Sequence, residues 1–231
     1  MGLHLCYELD LPAESTETAV LALLEALRSA AVRLPFDGVS EVFRMSGDAC
    51  RLRPRGERDE LEWFFTIFTR GSVAESPDPD YPIQVPSDLA LGFVVVPGTR
   101  CEAAAFGLAR FPVPVKARRG QEEITTEGWH WHATCKTQYA SVISDNHLIK
   151  CHLGLVELLD TAARMGFGVT VRDETHYWET RDTDRLLTEV RAMNRIVAKL
   201  AGRVADALPD GLSADGAILS HPRFEHLEME E

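Results

Sequence analysis

Basic residues are scarce in this chain. Across 231 residues, 24 lysines and arginines face 36 aspartates and glutamates, for a net charge of -12. Nucleic-acid binding rests on a concentrated basic footprint, so this balance disfavours a nucleic-acid partner. Arg51, Arg53, Arg55 and Arg58 form one local basic cluster and Lys116, Arg118 and Arg119 another. Both are read as turns with solvated tips. Apolar runs are only a few residues long, far short of the ~20 that cross a bilayer, so no membrane association is expected. The glycine-rich nucleotide loops, the GxSxG elbow and the HExxH zinc motif are also missing, which leaves nucleotide cofactors and α/β-hydrolase chemistry without support.

The five cysteines, Cys6, Cys50, Cys101, Cys135 and Cys151, are odd in number and include no CxxC pair. The opening MGLHLCYELD has neither a positive stretch nor a continuous apolar one, unlike a secretory leader. Five reduced thiols in a cytoplasmic protein are the expectation.

The remainder is an ordinary globular composition, 45% hydrophobic and 26% charged. In residues 3 to 9, Leu3, Leu5, Tyr7 and Leu9 alternate with His4, Cys6 and Glu8, the pattern of a half-buried strand. Glu14, Ser15 and Thr16 then open a helix whose stripe runs Val20, Leu23, Leu24, Leu27, Ala30, Ala31 and Leu34 up to Pro35. A strand follows near Val39 to Met45. Strands are also predicted at Leu61 to Thr69, Leu91 to Val96, Ala103 to Phe111 and Ile124 to Thr134. Residues 71 to 88, with four prolines and four acids, read as a long loop.

Toward the end, a helix from Asp145 or Asn146 to Met165 is followed by a strand at Phe167 to Arg172. A second helix begins near Asp182 and runs to Leu208. The fold class expected is α+β: a mixed β-sheet with helices packed mainly on one face, two β-α-β units flanking extra strands. Residues 1–219 form one domain on this reading, and 220–231 an acidic tail.

Three polar segments hold the candidate chemistry. In WHWHATCKTQY, residues 129 to 139, a strand puts Trp129 and Trp131 on one face and His130 and His132 on the other, the imidazoles roughly 7 Å apart. Lys136 continues the histidine face. Cys135 joins the tryptophan face, where Lys136 next in sequence would favour its thiolate; Gln138 and Tyr139 suit substrate orientation. The next helix adds His147, Cys151 and His152. His152 falls in the apolar row Leu148, His152, Leu155, Leu159, Ala162, a core-facing position. The third segment, DETHYWETRD (173 to 182), has five charges and no glycine, unlike a merely connecting loop.

From these segments His130, His132, Lys136, Asp173, Glu174 and His176 are the acid–base candidates. Cys135, Gln138, Tyr139, His152, Tyr177, Trp178, Glu179 and Arg181 are the substrate-binding candidates. His130, His132 and Cys151 offer ligand types that suit a divalent metal. Asp182 reads as a helix N-cap and Asn194 as a flank of the last helix. The function expected is an enzyme acting on a small polar substrate by acid–base or metal-assisted chemistry, a hydrolase or transferase. The alternative is a non-catalytic module that senses a ligand or binds a partner protein.

Overall fold

The computed structural model describes residues 2–78, 81–119 and 122–207. Strand β1 (Leu5–Leu11) leads into helix α1 (Glu17–Ala31), capped by the Thr16 hydroxyl, which accepts from Ala19 N. Short strands β2 (Gly38–Val39) and β3 (Phe43–Ser46) precede helix α2 (Glu60–Thr66). A ribbon of β4 (Arg70–Ser72) and β5 (Gln84–Pro86) comes next. Then follow β6 (Leu89–Val96) and β7 (Ala104–Arg110), a second ribbon of β8 (Val115–Arg119) and β9 (Glu122–Thr126), and β10 (Trp129–Cys135). The chain continues through α3 (Asp145–Arg164), β11 (Gly168–Asp173), the one-turn helix α4 (Tyr177–Thr180) and α5 (Thr183–Ala207).

The main sheet has the order β11-β1-β10-β7-β6-β2, with β3 also paired to β6. Each of these pairings is antiparallel. The α+β class therefore holds, and the two β-α-β units take a split form. β10 and β11 run the same way but lie on either side of β1. The strands joined by α1 also run the same way, with three strands between them.

The core sits on one face of the sheet. Leu5, Tyr7 and Leu9 pair in register with Cys135, Ala133 and Trp131, and all are buried. Leu24 and Leu27 of α1 and Leu155, Leu158 and Leu159 of α3 close over them. Tyr7 OH and Trp131 Nε1 both donate to Ala105 O, each at 2.8 Å, so the polar tips of two large rings are satisfied inside the core.

Four predicted elements differ; the strand expected near Val39 to Met45 is divided into β2 and β3. Residues 61 to 69, expected as a strand, form most of α2. Asp59 accepts from Leu61 N and Glu62 N, and Glu60 and Glu62 occupy the first turn, where the helix dipole favours acids. This local capping outweighs the strand preference of WFF, and Phe65 stacks on Trp131 at 4.8 Å. The predicted strand 124 to 134 is divided by Gly128 at φ +100°, where a Cβ would lie 2.5 Å from Ala13 Cα. The expected loop at 71 to 88 contains most of the β4–β5 ribbon. The predicted tail, 220–231, and Leu208 lie outside the described residues.

Candidate functional site

The three polar segments meet, but they do so inside the core. His152 is 1% exposed and Asp173 2%. Thr137 Oγ1 lies 2.9 Å from His152 Nδ1, and His152 Nε2 lies 3.2 Å from Asp173 Oδ2. The Asp173 carboxylate also accepts from Thr175 N, Thr175 Oγ1 and Trp178 N. Burial alone would raise the Asp173 carboxyl; the hydrogen bond and charge of His152, with Thr175, bring it down to about 2. Tyr177 closes this network, its ring edge-on to His152 at 5.7 Å. Each of these polar side chains has its partner within the protein.

The other candidates of these segments are occupied in similar ways. Gln138 Oε1 accepts from Leu3 N at 2.7 Å and its Nε2 donates to Asn194 Oδ1 at 2.8 Å. Asn194 is thus buried in a hydrogen-bond chain rather than flanking its helix. Lys136 pairs with Glu102, 3.4 Å away, and does not extend the histidine face into a site. Cys135 is buried and its Sγ donates to Glu102 O. Burial pushes its thiol well above the usual range, the opposite of the thiolate expected from its neighbour Lys136. Tyr139 packs beside Val197 and Ala198 of α5. Glu174 binds His4 and Arg172. Arg181 stacks over Trp178 and forks onto Asp160 at 2.8 and 2.9 Å. His176 is exposed and starts α4 at φ +59°. Asp182 caps α5 by accepting from Asp184 N and Arg185 N.

The metal set is corrected. Cys151 lies on the core side of the sheet among Leu148, Val156 and Leu186, whereas His130 and His132 point from the opposite face. Among the described residues, no group of three or more His, Cys, Asp or Glu side chains is placed to hold a metal ion. The Cys151 sulfur is 3.7 Å from His147 Nε2. A hydrogen bond shared with Cys101, then the charges of His147 and Lys150, bring the Cys151 thiol down to about 7 against the effect of burial.

The opposite face of the sheet is open. Among the described residues, the β8–β9 and β4–β5 ribbons and Glu179 of α4 border a cleft of about 1050 Å³ on this face. That volume suits a small molecule. His130, His132 and Thr134 of β10 form its floor with Cys6 and Glu8 of β1, which pair across from Thr134 and His132. Arg172 and Thr170 arrive from β11, Lys116 and Arg118 from β8, and Arg70 from β4. Of the predicted site residues, His130, His132 and Glu179 line this cleft.

His130 is the unusual group. The residue is 5% exposed, and its buried Nδ1 has no hydrogen-bond partner among the described residues. An unsatisfied buried polar atom costs about 1–3 kcal/mol. Burial, then the neighbouring His132, lower its pKa to about 4, against a small upward pull from Asp10. The imidazole is therefore neutral at pH 7. His132, on the same floor, is exposed; desolvation and the Arg118 guanidinium lower its pKa as well. Burial raises the Glu8 carboxyl, opposed by the Arg118 backbone N–H, which donates to Glu8 Oε2 at 2.6 Å. Burial also raises the Cys6 thiol. The cleft thus has two imidazoles whose neutral form is favoured and one carboxyl whose protonated form is favoured by burial.

Glu8, Arg118, Arg172 and Arg70 were not among the sequence candidates. The alternation of His4, Cys6 and Glu8 signals that these side chains share a face. That this face meets the histidine face of β10 depends on strand pairing, which no local pattern encodes. No family model matches the chain, nor does any curated protein or solved structure at a significant level.

Proposed function

We propose that this chain is an enzyme acting on a small polar molecule by acid–base chemistry in the open-face cleft. His130, His132 and Glu8 are the groups that move protons, and the surrounding cations orient the substrate. The observation that supports this most directly is the partnerless Nδ1 of His130, nine-tenths buried in a cleft of small-molecule size. A neutral imidazole there can accept a proton without first losing a protein hydrogen bond at Nδ1. Metal-assisted chemistry is not part of this reading, because the expected third ligand, Cys151, lies across the sheet. The ribbon β4–β5, within the segment read as a loop, serves as one wall of the cleft and in that sense as a cover. Five free thiols suit a reducing compartment, and the cytoplasm is the location we propose.

A second reading, a ligand sensor without turnover, draws on a different observation. The cleft thiol, Cys6, has its pKa raised, so an activated thiolate nucleophile is not at hand. Both readings need a ligand in the same cleft, and one experiment separates them. Wild type and a His130→Gln, His132→Gln double variant are exposed to a panel of small polar metabolites, with thermal shift and product analysis as readouts. The enzyme reading expects a compound that stabilises the wild type and is converted, with turnover falling by about 10²–10⁴ in the double variant. Stabilisation without conversion supports the sensor. Stabilisation that is unchanged in the double variant, or no stabilisation at all, overturns both.

A further inference from the structure

The cleft is charged in a way the chain as a whole is not. In a protein of net charge -12, its described lining has four permanent cations, Arg70, Lys116, Arg118 and Arg172, against the carboxylates Glu8, Glu123 and Glu179. Two of those carboxylates are already engaged. Glu123 pairs with Lys116 at 3.4 Å, and Glu8 accepts from the Arg118 backbone rather than its side chain. Arg172 gives one Nη2 to Glu174 at 3.0 Å, which leaves other N–H donors of a five-donor group. Among the described residues, the guanidinium groups of Arg118 and Arg70 have no carboxylate partner.

Arg118 and Arg172 both line the cleft beside Cys6. Arg172 lies directly across from Cys6 in the β1–β11 register, and both cations favour the Cys6 thiolate while Glu174 and Asp173 oppose it. Arg118 reaches there from the ribbon above and also acts on His132. His130 lies one strand repeat beyond His132, roughly 7 Å along the floor. Two guanidinium groups lining one semi-enclosed cleft can grip a planar or tetrahedral oxyanion.

We infer that the cleft takes a small molecule bearing a carboxylate or phosphate group, held between Arg118 and Arg172, whose other end lies against the His130 imidazole. This rests on the reading of the cleft as a small-molecule site and adds the class of molecule. The anion fixes one end near Cys6 and Thr134. The reacting or recognised polar group then falls beside the buried imidazole.

The test is a titration of the histidine ring signals by NMR at constant ionic strength. The probes are inorganic phosphate, malonate and, as an uncharged counterpart, malonamide. Variants are Arg118→Gln, Arg172→Gln and, as a remote control on α3, Arg164→Gln. The proposal expects saturable shifts of His130 and His132 with malonate or phosphate, affinity weakened about tenfold or more in either cleft variant, and no change in the control. Saturation by malonate alone assigns a carboxylate, and by phosphate alone a phosphate ester. Saturation by malonamide with no response to either anion overturns the charge assignment and leaves the small-molecule reading standing. Equal responses in wild type and both cleft variants overturn the arginine grip, and no response to any probe removes both.

Discussion

Two sets of histidine chemistry lie back to back across one sheet, and their fates are opposite. On the core face, Thr137, His152 and Asp173 form a hydroxyl–imidazole–carboxylate chain whose spacings, 2.9 and 3.2 Å, would suit a nucleophilic triad. It is closed on every side by protein, and its carboxylate takes three further hydrogen bonds. On the open face, His130 is nearly as buried, yet its Nδ1 has no partner among the described residues. Residue types do not distinguish the two sets. Satisfaction does: a polar group that the fold has fully paired contributes stability, and one left unpaired beside a cavity is available to something else.

The sharpest way to break this contrast is to remove a member of the closed set. His152→Ala or Asp173→Ala leaves its partner buried and unpaired and is expected to cost about 3–5 kcal/mol, measured by urea unfolding. A loss below about 1 kcal/mol would mean that the network is not a structural tie between α3 and β11.

The next effect is a pH dependence. The folded state holds the His130 pKa near 4, against an ordinary 6.5, through burial first and then His132, with Asp10 raising it. Between those values the unfolded chain binds a proton that the native state refuses. Stability from this group is complete above pH 6.5 and declines as the pH falls to 4, by about 3 kcal/mol. His130→Gln should flatten that part of the profile. Asp173 works in a lower window: its carboxyl is depressed from 3.8 to about 2, so its contribution holds above about pH 4 and is lost as the pH falls through 2. A stability curve in which the His130→Gln variant follows the wild type between pH 6.5 and 4 would contradict the first assignment.

Smaller effects sharpen the comparison from the open side. His130→Leu exchanges an unsatisfied polar ring for an apolar group, so it should be neutral or stabilising by up to about 1 kcal/mol while ligand binding is lost. Arg118→Gln should change unfolding free energy by less than about 0.5 kcal/mol, because its guanidinium has no carboxylate partner among the described residues to lose. A clear destabilisation by either variant would mean that the cleft is built for the fold rather than for a ligand.

The sequence made the faces readable and the neighbours unreadable. Alternation is a local property, so the opposite directions of Trp131 and His132, and of Tyr7 and Glu8, follow from a period of two. The apolar row around His152 likewise marks it as core-facing through helical spacing alone. Pairing is not local. Nothing in MGLHLCYELD indicates that Glu8 lies across from His132, or that Lys116 and Arg118, read as solvated tips, sit on a ribbon folded over those imidazoles. The helix at Glu60–Thr66 was obscured because WFF favours strands by composition, while the Asp59 cap and the acidic first turn, worth a few kcal/mol at most, decide the outcome. Clustering of titratable residues along the chain mixed the two faces, since His130, His132, His152 and Asp173 are close in sequence. The open cleft gathers its groups from seven separate strands and the short helix α4.

The most direct test of the central claim is the ionisation of the two imidazoles on either side of the sheet, followed by ring NMR from pH 8 downward. His130 is expected to keep its neutral form until about pH 4. Its signals should move when a ligand fills the cleft, while those of His152 do not respond to that ligand. A His130 that titrates near 6.5, as a free histidine does, would contradict the claim, because the ring could not then be the desolvated and unpartnered group on which the site is built.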